Sequence, residues 1–218
     1  MQVQLIPVVE LFYSVESVPA PTEGPYWEHV ANWRDYHARS LQANGFSPAL
    51  TPCRPGSALY PLTDLSDEDI MQLIRLHCAD ALQMSGDWGQ ICPLFGGYIL
   101  RLGNSDVFFP QCCSDLGDIR SWRQIAQGKG LYLYSGHPSP VVQLERDCIT
   151  FDFTVDDGGE TFAPPPTRSS ASFPRAALAV AVQVAELELQ TFAVRLERLN
   201  VEHQLRIPDI RAVLLYGQ

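Results

Sequence analysis

The chain is poor in positive charge and poorest of all in lysine. Lys129 stands alone, and the other fourteen of its fifteen basic residues are arginine. Schiff-base chemistry, a Walker-type phosphate lysine and lysine-dependent nuclease sites would all have to use that one residue. Its setting, Gly128-Lys129-Gly130 after a helix-like stretch, predicts a helix end and turn instead. Arg123 occupies the place of the first glycine of a P-loop, which excludes that motif. The arginines are scattered with no run of three, so no stripe tracks a phosphate backbone and nucleic acid is not an expected partner.

Other signals are missing too. Met1-Gln2-Val3-Gln4-Leu5 lacks the charged and apolar regions of a secretory leader. The richest apolar stretch, Ala176 to Ala185, is soon interrupted by Glu186 and Glu188, short of the roughly eighteen apolar residues that mark a membrane span. A cytoplasmic protein without membrane association is expected, its six cysteines read as thiols. No Cys-x-x-Cys, His-x-x-x-His or Gly-x-Ser-x-Gly occurs, so neither a metal, nor a cofactor, nor a serine nucleophile is expected.

What is present is acid. Asp and Glu number 25, the formal net charge is -10, and apolar residues make up 46% of 218 positions, enough for a well-buried core. Gln2 to Leu11 alternates as an opening strand, and Gly24-Pro25 introduces a helix through Tyr26, Val30, Trp33, His37 and Leu41. Ser66 and Asp69 form a capping box before Ile70, Leu73, Ile74 and His77. Tyr98 to Leu102 and Val107 to Phe109 flank Gly103-Asn104-Ser105-Asp106 as a hairpin, and a short helix spans about Leu116 to Gln127. Leu131 to Tyr134, Val141 to Leu144 and Cys148 to Val155 read as further strands, closed by Asp156-Asp157-Gly158-Gly159. Ala163 to Ser172 reads as a proline linker.

A long helix with Pro174 in its first turn carries Leu178, Val182, Ala185, Leu189, Phe192, Leu196 and Leu199 at alternating spacings of four and three. A second flank, Ala177, Val180, Ala181, Val184, Leu187 and Val194, widens the stripe beyond a coiled-coil seam and predicts packing across the sheet. Leu205 to Leu215 reads as a closing strand. The expectation is an α+β fold, a largely antiparallel sheet with packed helices and the long C-terminal helix across the core. It is one domain over 1–218, with a helical subregion 1–90 and a sheet plus long-helix region 91–218.

Three functional readings follow. The first is a non-catalytic, bacterial-type immunity protein that neutralises a basic toxin or effector by binding it. Its surface would combine the aromatic residues Trp88, Phe108 and Trp122 with the carboxylates Asp115, Asp118, Asp152, Asp156 and Asp157. Phe108 and Phe109 should face opposite sides of their strand, leaving one exposed. The second is an enzyme assembled around His137, Cys112 and Cys113, because a thiol nucleophile needs a histidine base. The third is an assembly subunit, monomer or homodimer, joined through the Leu178 to Leu199 seam.

Overall fold

The alternation at the start of the chain builds β1 (Val3–Glu10), with Val3 and Leu5 facing inward. The computed structural model describes residues 2–83, 88–154 and 159–217, and the fold is α+β with two antiparallel sheets. The chain divides into two compact units: Met1–Val8 with Phe95–Gln190, and Val9–Leu94 with Thr191–Gln218.

In the first unit, β3 (Gly96–Leu102) and β4 (Ser105–Phe108) form the hairpin read from the turn residues, with Leu102 opposite Ser105 and Arg101 opposite Asp106. Gly103 takes φ +61° at the turn, a left-handed conformation that favours glycine. Arg101 Nε donates to Asp106 Oδ1 at 2.5 Å across the pair. The other β-rich residues form a separate sheet of β5 (Val141–Glu145), β6 (Cys148–Asp152) and β7 (Ser170–Pro174). Here the structure corrects three expectations. The segment read as a linker supplies β7, because Ala171 and Phe173 alternate inward and pair with β6. Pro174 ends that edge strand, where a missing N–H is tolerated, rather than opening the helix. Leu131 to Tyr134 forms no strand and contributes one isolated bridge, Tyr132 to Val141.

An aromatic core fills this unit. Phe108 lies 6.2 Å from Trp122, Trp122 lies 5.7 Å from Phe151, and Phe151 lies 5.3 Å from Phe173, centroid to centroid. Both Phe108 and Phe109 are buried, contrary to the expectation that one would be exposed. Trp122 sits on α4 (Ile119–Ala126), which ends as the glycine pair predicts. Gly128 N–H donates to Ile125 O and Lys129 N–H to Gln124 O, with Gly128 at φ +70°, the bonding of a Schellman cap.

In the second unit, β2 (Leu59–Pro61) is followed by α2 (Asp67–His77) and α3 (Ala79–Gln83). The capping box at the start of α2 is complete, Asp69 N–H donating to Ser66 Oγ and Ser66 N–H returning to Asp69 Oδ2, both at 3.1 Å. α1 (Val30–Ala43) starts later than its proline signal, since the amides of Glu28 and His29 are spent in a turn onto Pro25 O. Ala212–Tyr216 forms a π-helical turn instead of the expected strand. Val213, Leu214 and Leu215 are consecutive buried residues, which the alternating faces of a one-sided strand do not bury.

α5 (Arg175–Glu202) passes through both units as one helix. Its length and composition suffice to cross a bilayer, but the Leu178, Val182, Ala185, Leu189, Phe192, Leu196 and Leu199 seam is buried within the protein. In the second unit Arg195 and Arg198 clasp Asp67 at the start of α2, Arg195 Nη2 at 2.8 Å. These bonds, that of Arg195 foremost, hold the Asp67 carboxyl below its ordinary range.

Candidate functional site

Two loops of the first unit bring together the residues proposed for a thiol enzyme. Gln111 N–H donates to Ser135 O at 3.1 Å and His137 N–H to Cys112 O at 2.9 Å, so Cys112 and His137 face each other in an antiparallel bridge. Such partners project to one side with Cβ atoms about 4.5–5.5 Å apart. Close approach depends on Gly136 at φ +82°, where a Cβ would lie 2.4 Å from Cys112 O. Cys113, at φ +69°, places its sulfur 3.5 Å from that of Cys112. All three side chains are exposed, and the His137 ring stands edge-on to Tyr134 at 6.0 Å.

Beneath them lies a buried polar chain that sequence reasoning saw only in part. Ser114 Oγ donates to Asp118 Oδ2 at 2.7 Å and lies 3.3 Å from Ser135 Oγ. Asp118 also accepts the Asp115 amide, and Asp115 Oδ1 accepts the Gly117 amide, forming a second capping box ahead of α4. Burial, with the nearby Asp115 charge adding to it, pushes the Asp118 carboxyl up to about 7 against the lowering effect of the Ser114 bond. Burial likewise raises Asp115. The Asp115-x-x-Asp118 spacing was the available signal for this network, whereas Ser135 arrives from a distant loop and carried none. Asp118 takes the Ser114 hydroxyl and the Asp115 amide through the same oxygen, Oδ2, which ties the carboxyl to the helix entry. The thiols and imidazole lie open to water. Among the described residues, no group of three or more His, Cys, Asp or Glu is placed to hold a metal ion.

Of the residues expected to meet a partner, some are turned inward. Phe108 and Trp122 are in the aromatic core and Asp118 is buried beneath its loop, so these three face inward. Asp115 is half-buried and engaged in its cap, and Trp88 is half-buried in the short turn Trp88–Gln90. Asp152 ends β6, where the Thr154 hydroxyl and amide donate to its Oδ1 and hold its carboxyl below the ordinary range. Asp156 and Asp157 lie outside the described residues.

A different apolar surface is present. Along α5, Val180, Val184 and Leu187 are 51% to 63% exposed, and the same spacing continues to exposed Val194 and Val201. A stripe widened for packing across the sheet would bury the first four, and the structure instead turns them outward. The reason is rotational: two residues advance a helix by about 200°, so Val180 and Val184 lie opposite the Leu178 and Val182 side. The chain matches no protein-family model, no curated protein and no solved structure.

Proposed function

We propose that the chain is a non-catalytic binding module that takes a basic protein partner on the outward face of α5. The observation that carries this reading is the row of exposed aliphatic side chains at Val180, Val184 and Leu187. Apolar surface gains about 25 cal/mol per Å² on leaving water, and a helix face with side chains at four- and three-residue spacing is the form in which a groove or second helix takes it up. A net charge of -10 favours a basic partner, because the long-range field speeds encounter with opposite charge. Neutralisation of a basic toxin or effector, as an immunity protein performs it, is the biological form of this reading.

The test is affinity capture from native lysate at low and high salt, comparing the intact chain with a Val180→Glu/Val184→Glu variant of unchanged melting temperature. Supporting results are one basic protein retained by the natural chain, weakened by salt and lost with the variant. Equal capture by both chains, or no specific capture, overturns the proposal. So does a face occupied by a second copy, seen as dimerisation in sedimentation that the variant abolishes, or by lipid, seen as variant-sensitive binding to anionic vesicles.

A further inference from the structure

The second unit contains a cavity of about 290 Å³ between α1 and the segment leading into β2, lined by Arg34, His37, Leu41, Leu50, Pro52 and Tyr60 among others. Two of its polar residues are almost wholly buried, His37 at 5% exposure and Tyr60 at 2%. His37 touches the rings of Phe12, Trp33 and Tyr36, yet its nitrogens make no hydrogen bond with a described residue. The Tyr60 hydroxyl likewise has no partner among the described residues. Neither group is sealed in: among the described residues, the unpaired side-chain polar atoms cut off from solvent are Ser40 Oγ and Trp122 Nε1. Both residues are among those that line the cavity. Two mostly buried side chains on one cavity whose hydrogen-bonding atoms are taken by no described residue are what a ligand would complete. At the exposed rim, Arg34 forms no ion pair with a described residue.

We propose that this cavity binds a small organic carboxylate with an aryl or branched-alkyl body and one further oxygen. The carboxylate pairs with the planar guanidinium of Arg34, the body lies against Leu41, Leu50 and Pro52, and the inner hydroxyl or carbonyl sits between His37 and Tyr60. Burial supports this polarity, holding the His37 imidazole neutral with its pKa down at about 4 and the Tyr60 phenol protonated with its pKa up at about 12. The inner end thus offers uncharged hydrogen bonds, and the charge belongs at the rim. The volume lies at the bottom of the usual ligand-pocket range of about 300–1,000 Å³, which suits a small ligand.

The experiment is a titration of the full chain with benzoate, para-hydroxybenzoate, phenylacetate and alpha-ketoisovalerate, each beside its carboxamide, followed by histidine-ring NMR. At least one acid that carries a second oxygen should saturate a shift at His37, with its amide binding about tenfold or more weaker. Arg34→Gln and Tyr60→Phe should each lower that affinity by about tenfold while leaving the melting temperature unchanged. The proposal is overturned if no acid moves the His37 resonance, if acid and amide bind alike, or if affinity is unchanged in both variants.

Discussion

At Gly136 a single hydrogen atom decides whether two loops can meet. A Cβ there would press on the backbone of Gln111 and Cys112, which cannot move aside as a flexible side chain would, and the positive φ adds strain. Gly136→Ala should destabilise the first unit by about 2 kcal/mol or more and raise hydrogen exchange at the His137 amide; an unchanged unfolding midpoint would refute this. Asp118 makes a pH prediction. Its pKa rises from 3.8 unfolded to about 7 folded, so between those values the unfolded carboxyl has ionised while the folded one keeps its proton. Its contribution is complete below pH 3.8, declines as pH rises and is lost by about pH 7, a change of at most about 4 kcal/mol. Asp118→Asn, which cannot ionise, should flatten the fall in unfolding free energy over this window. Equal slopes for the two chains would show that the carboxyl ionises freely in the fold.

The elements differ in how much they depend on single residues. β4 and α4 meet through Phe108 and Trp122, so Phe108→Ala leaves a cavity in the aromatic core and should cost about 3–5 kcal/mol, measured by urea unfolding. The α2 and α5 contact at Asp67 stands at the opposite extreme. Its carboxylate is 40% exposed and solvent weakens its pairing with Arg195 and Arg198, so Asp67→Ala should cost no more than about 1 kcal/mol. Two elements were legible from their neighbours alone. The Ser66 and Asp69 box starts α2, and Gly128 ends α4, because each signal and the group it satisfies lie within one helical turn. β7 was not legible, since its pairing with β6 brings Ser172 opposite Thr150, 22 positions away in the chain. Proline content near a strand conceals it when the partner strand is supplied from elsewhere.

For the whole molecule, the excess of ten negative charges governs behaviour in solution as the exposed α5 face governs contact. Approaching the isoelectric point near pH 4.8 should remove mutual repulsion and let that face associate, seen as a turbidity maximum. Val180→Glu/Val184→Glu should reduce the maximum, and identical turbidity would mean that the α5 face takes no part. The same scale separates what the sequence by itself determined from what the tertiary structure decided. Composition established an acidic globular chain with a core. Local chemistry established the α2 cap, the α4 end and the Gly103 hairpin, and periodicity established α5 and its Leu178 to Leu199 seam. Rotation about the helix axis already set Val180 and Val184 opposite Leu178 and Val182. Whether another element covered that opposite side depended on how the rest of the chain packed. Tertiary structure alone turned Phe108 and Trp122 inward, brought His137 to Cys112, and set His37 and Tyr60 on one cavity. These are contacts between residues distant in sequence, chosen by the burial of all side chains together, and no spacing within a single segment encodes them.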